Sequence, residues 1–279
     1  MGRLQREPSR SEPRVTPPVR HSATCFFERD PGIAVARRAA AEGVGTFLLM
    51  LVATGAGFAV ARLAAGSAAL ILIGSAMATA GALVGLIVAF GEISGGHFNP
   101  LITGLQWLTG ERPLPCTLSY VAAQCVGSIA GALLAKGLYG GGSAAGSMGA
   151  TWLAALSEVI ASAGLMTVVF SCARSGRKET GPFAVGAWLL AAIVATPSTS
   201  YANPAIAMAA VFAAGPITLS PSQALVYVFA EIAGALIALI PVSIAYPRGS
   251  AAYRAPVEAR VEDGAWSEPL GLDPTRRKN

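Results

Sequence analysis

Two short stretches decide the fold: Ser94-Gly95-Gly96-His97-Phe98-Asn99-Pro100-Leu101 and Ser200-Tyr201-Ala202-Asn203-Pro204-Ala205. Asparagine is a favoured helix N-cap because its side-chain oxygen takes a first-turn N–H. Proline is favoured just inside the helix, where its missing N–H is not needed and its φ is preset. Each Asn-Pro therefore opens a helix, and each helix meets an early stop, at Gly110 with Pro113 beyond and at Gly215-Pro216. The apolar pieces near 99–109 and 203–214 are too short to cross a bilayer. A dozen helical residues rise roughly 18 Å, against a hydrocarbon core of ~30 Å. The residues before each Asn-Pro, 91–98 and 196–202, are small and polar, which suits extended chain with its carbonyls facing a lumen.

The surrounding composition is that of a membrane protein. The chain has 279 residues, 53% hydrophobic and 13% charged, whereas soluble domains carry about 25% charged residues. Residues 1–38 hold 12 charges and residues 247–279 hold 11, which leaves 12 for the 208 residues between. Those 12 are evenly divided in sign, so the net charge of +5 comes from the tails. This pattern excludes a soluble enzyme, a nucleic-acid-binding domain and a disulfide-stapled secreted domain. Six segments are long enough to cross, near 39–61, 68–90, 116–138, 151–173, 181–197 and 222–246. The first starts too far in, and carries Glu42, to be a cleaved signal peptide. Cys25, Cys116, Cys125 and Cys172 show no metal-ligand spacing, so neither a metal site nor a structural disulfide is expected. Residues 1–36, rich in proline and arginine, and residues 248–279 read as disordered tails flanking a membrane-embedded domain at 37–247.

The domain is an internal repeat, about 39–138 and 151–246. Glu42 in the first span is echoed by Glu158 in the fourth, and Asn99-Pro100-Leu101 by Asn203-Pro204-Ala205. Tyr120, Gln124 and Gly127 match Tyr227, Glu231 and Gly234 at a constant offset. Each unit has three crossings, an odd number, so the second starts on the opposite side and the repeat is inverted. The two half-helices then enter from opposite faces and meet at the midplane, where irregular backbone is tolerated only around a lumen or inside protein. Arg37, Arg38, Arg174, Arg177 and Lys178 place both termini in the cytoplasm by the positive-inside rule, and Arg62 and Lys136 are exceptions. Converging helix N-termini oppose cations, and the Asn99 and Asn203 amides offer donors to a passing oxygen.

These motifs resemble the aquaporin and glycerol-facilitator (major intrinsic protein) family over about residues 39–246. The resemblance implies an all-α polytopic membrane protein, with six transmembrane helices and two re-entrant half-helices. It also implies a homotetramer in the bilayer with one pore per subunit, small neutral solutes as cargo, no cofactor and no enzymatic activity. Two positions depart from the family pattern. The first motif ends in Leu101 rather than Ala, at the contact between half-helices. The Arg that usually follows the second motif is Ile206 here. Counting back by the family's spacing gives Thr79, Ala191 and Ser200 as the other members of the outer filter. That ring lacks charge and bulk, so passage of solutes larger than water and weaker cation rejection at this ring are expected. A bacterial branch associated with arsenic resistance shares the missing Arg, which adds arsenous acid and related metalloid acids to the expected solutes and a bacterial plasma membrane as the location.

Glu42 and Glu158, costly in a bilayer, are expected to face inward and accept hydrogen bonds from the re-entrant backbone. Glu231 has a less obvious task, with backbone donors as its expected partners. His97 is expected to line the inner vestibule and Tyr201 to border the outer mouth or pack in its loop. Gly81-x-x-x-Gly85 and Gly127-x-x-x-Gly131 read as close packing inside the bundle. The rival reading is a proton-coupled transporter, which shares inverted repeats and broken helices. It would need titratable groups at the substrate site, and the re-entrant pieces offer only His97 and Glu92.

Overall fold

The computed structural model describes residues 32–64, 66–140 and 152–247; residues 1–31 and 248–279 of the tails read above lie outside them, and the end of the first tail is ordered, since Val35 and Ala36 already belong to the first helix. Helix α1 runs Val35–Leu63, α2 Ala68–Ser94, α3 Pro100–Leu108, α4 Leu114–Tyr139, α5 Trp152–Arg174, α6 Gly181–Ala195, α7 Pro204–Ala209 and α8 Pro221–Ala245. No strand occurs among the described residues. Helices α1, α2, α4, α5 and α8 are long and apolar enough to cross a membrane. The fifth predicted span is the 15-residue α6, roughly 22 Å long. It stops there because the residue before a proline leaves the helical region, as Thr196 does before Pro197, and a turn at 196–199 follows. The second half-helix is shorter than expected, six residues rather than the reach to 214. Beyond it the chain turns, Leu219 N–H donates to the Ala210 carbonyl at 3.2 Å, and Gly215 opens a 3-10 turn at Gly215–Ile217.

The two halves are built alike. Helix α1 packs along α4, and α5 along α8. The first crossing is close because Gly127 and Gly131 have no Cβ: one on Gly127 would strike the Gly43 carbonyl, and one on Gly131 the Phe47 carbonyl. At the second crossing a Cβ on Gly234 would strike the Val159 carbonyl. These are backbone-to-backbone contacts of the kind small residues permit in membranes. Gly81 and Gly85 differ from the expectation. Both lie on the exposed side of α2, with nothing within 4 Å of a Cβ built on either. Helices α2 and α6 pack together and close the ring. Leu70, Ile73, Met77, Val126, Phe229 and Ile244 are among the large apolar residues left exposed, as lipid-facing positions require.

Candidate functional site

The site is where α3 and α7 begin. Asn99 and Asn203 cap their helices in extended conformation, with φ of −152° and −159°. Asn99 Oδ1 accepts from Leu101 N–H at 2.9 Å, and Asn203 Oδ1 from Ala205 N–H at 3.1 Å. That uses only the oxygen of each amide. Each NH₂ group then reaches across the pseudo-twofold: Asn99 Nδ2 donates to the Ala202 carbonyl and Asn203 Nδ2 to the Phe98 carbonyl, both at 2.8 Å. An amide carries two N–H donors, so one is spent on the opposite loop and one is left for a solute. This reciprocal lock is not legible from either motif alone.

Both loops are braced by carboxyl groups. Glu42 Oε1 accepts from the Ser94 hydroxyl at 2.6 Å and from His97 N–H at 3.0 Å. Its Oε2 accepts from Phe98 N–H at 2.6 Å and from the Gln124 amide at 2.8 Å. Glu158 accepts from Tyr201 N–H at 3.0 Å and Ala202 N–H at 2.8 Å, and Glu231 Oε1 from Asn203 N–H at 3.1 Å. The side chains of Glu42, Glu158 and Glu231 are fully buried. Their grip sets the loop backbone: Phe98 has φ of 47° and Ala202 of 44°, left-handed values that cost a non-glycine residue about 1–3 kcal/mol.

A cavity of about 330 Å³ lies against both loops, and His97, Ile87, Pro216 and Ile217 are among the residues that line it. Asn99 and Asn203 both line it, and none of its lining residues is Asp, Glu, Lys or Arg. Of the residues expected in the outer ring, Thr79, Ser200 and Ile206 lie on this wall. Ala191 does not; it sits on the exposed side of α6. Val185, Leu189 and Ile193, spaced four apart on one helix face, supply the wall instead. Counting back from Asn203 fails because α6 ends at Ala195 and a turn intervenes, with Thr199 N–H donating to the Thr196 carbonyl. His97 is buried and lines the cavity. Its Nδ1 is 2.9 Å from Thr103 Oγ1. Leu101 is buried in the apolar core, and Pro204 and Ala205 are buried in the first turn of α7, where the Ala205 carbonyl accepts from Ser128 at 2.9 Å.

Ser75 and Arg112 are participants that the sequence did not single out. Ser75, four residues before Thr79 on α2, lines the same wall, and its buried Oγ has no partner among the described residues. The same holds for Ser200 Oγ and His97 Nε2. Beneath the first loop, Tyr120 donates to the Ser94 carbonyl at 2.9 Å and accepts from Arg38 at 3.0 Å. The Arg112 guanidinium lies 4.4 Å from its ring centre. At the other mouth Tyr201 donates to the Ile217 carbonyl at 2.7 Å while its ring lines the cavity. The constant offset between Tyr120 and Tyr227 was the available signal for the first of these.

An inverted pair of half-helices meeting end to end around an uncharged lumen defines an integral membrane channel of the re-entrant-loop type. The major intrinsic protein family matches residues 32–240, and the chain belongs to that family, whose members are channels and not enzymes. Among similar proteins is the aquaglyceroporin AqpS of Rhizobium meliloti, 36% identical over 208 residues, 73% of this chain and 87% of the relative. Aquaporin NIP3-1 of Zea mays is 31% identical over 86% of this chain and 77% of its own length. The solved aquaglyceroporin from Plasmodium falciparum shares the fold, with a TM-score of 0.63 at 18% identity over 77% of this chain and 98% of its own.

Proposed function

We propose that this protein is a passive channel for water, glycerol-sized polyols and uncharged metalloid acids such as arsenous acid. The carrying observation is Ile206 on the cavity wall, directly after the second Asn-Pro-Ala. The outer constriction on this reading comprises Thr79, Ser200 and Ile206, with Leu189 and Ile193 in the place first given to Ala191. A wall of hydroxyls and aliphatic groups offers a polyol both hydrogen bonds and apolar contact, and offers a hydrated ion nothing to replace its water. The unspent N–H of Asn99 and of Asn203 serves as a central station. Glu42 and Glu158 hold the loops that present them, and His97 lines the inner vestibule. The assembly on this reading is a homotetramer in a bacterial plasma membrane with both termini cytoplasmic.

The test is stopped-flow permeability of proteoliposomes to water, glycerol, urea and arsenous acid, with and without a proton gradient. The expected result is glycerol and arsenous acid flux well above empty liposomes, following the solute gradient alone. Accumulation of any solute against its gradient would establish the coupled transporter instead.

A further inference from the structure

The two loop braces are not chemically equivalent. In the first half one carboxylate, Glu42, meets four donors, and its neighbour at the repeat position is the neutral Gln124. In the second half that position is Glu231, so two carboxyl groups share three backbone N–H donors, those of Tyr201, Ala202 and Asn203, with the Ser198 hydroxyl beside Glu158 as the counterpart of Ser94. Glu231 Oε2 is buried without any hydrogen-bond partner among the described residues, and the two carboxyl groups sit side by side, since they take consecutive N–H groups, Tyr201 and Ala202 for Glu158 and Asn203 for Glu231. A hydrogen bond between two carboxyl groups requires a proton on one of them. Two like charges side by side in a medium of low dielectric are held only by sharing such a proton.

We propose that Glu158 and Glu231 form a proton-binding site behind the second re-entrant loop, a carboxylic acid bonded to a carboxylate. Its lost proton turns a brace into a repulsive pair. No cationic side chain among the described residues acts on the pair. The remaining titratable groups acting on the pair are the phenols of Tyr201 and Tyr227. The other elements against α5 and α8, namely α3, α6 and α7, contain no titratable side chain. Arg174 lies four turns from Glu158 along α5 and reaches the Val242 carbonyl. Neither glutamate lines the lumen, so the proton is held by the wall and does not travel with the solute. The proton is present at low pH and leaves as pH rises, loosening the hold on Tyr201, Ala202 and Asn203.

Infrared spectroscopy of the full chain in proteoliposomes tests this without relying on transport. The wild type is expected to show a carboxylic acid carbonyl band, shifted in heavy water, that disappears in Glu231→Gln. Gln there reproduces the Glu42–Gln124 arrangement of the first half. Gln124→Glu is expected to add a second band of the same kind, which keeps the test decisive if Glu231→Gln fails to fold. A band unchanged in Glu231→Gln, or none gained in Gln124→Glu, overturns the proposal. In the flux assay, glycerol permeability of the wild type is expected to change between mildly acidic and alkaline pH, with that dependence lost in Glu231→Gln. A retained dependence overturns the coupling to the pore. Absence of flux at any pH together with the band would instead remove the channel reading and leave the site.

Discussion

Phe98 and Ala202 occupy the same place in the two halves and are each held at both ends. The N–H of each goes to a buried glutamate, and its carbonyl accepts from the opposite asparagine. The left-handed backbone is thus over-determined, the condition under which such strain persists. Removing one anchor exposes the cost. Glu42→Ala strands the N–H groups of His97 and Phe98 inside the bilayer, at about 1–3 kcal/mol each. A clear fall in thermal unfolding temperature in detergent and loss of glycerol flux are expected. On the cavity wall, Ile206→Arg adds charge and donors where there is no charge. Glycerol and arsenous acid permeability is expected to drop about tenfold, equivalent to ~1.4 kcal/mol of barrier, with a smaller drop for water. Equal losses for all solutes would remove Ile206 from the constriction.

Helices were legible to the extent that their ends carry local chemistry. Asn99-Pro100 and Asn203-Pro204 announce α3 and α7 because capping is a contact within one turn. The faces of the long helices were harder to read. In a membrane both the lipid side and the protein side are apolar, so the amphipathic signal that orients a soluble helix is missing. That is why Gly81 and Gly85 looked like Gly127 and Gly131, although one pair faces outward and the other sits against backbone. The misplacement of Ala191 has a different origin: register along α6 cannot be carried through the turn at 196–199 by counting. The contrast between the glycine pairs is testable. Gly127→Val forces bulk onto the Gly43 carbonyl, and overpacking of this kind costs about 1–3 kcal/mol or more. Gly81→Ala meets open space, and its unfolding temperature in detergent is expected to stay with the wild type while that of Gly127→Val falls.

At the scale of the molecule, the pore exists only where two inverted halves agree. All four Glu42 bonds form within residues 42–124, so the first brace is complete as soon as α4 is in place. The lock is not: the Phe98 carbonyl waits for Asn203, and the Asn99 amide waits for Ala202. A ribosome delivers those partners some hundred residues later, at ~5–20 residues per second. For several seconds the nascent first half holds a finished brace and an unsatisfied asparagine within the bilayer, a window in which a quality-control protease or an insertase can distinguish incomplete chains from finished ones. Cutting the gene between residues 140 and 152 makes this measurable. The first half expressed alone is expected to turn over rapidly, and co-expression with the second half is expected to restore both its lifetime and glycerol flux.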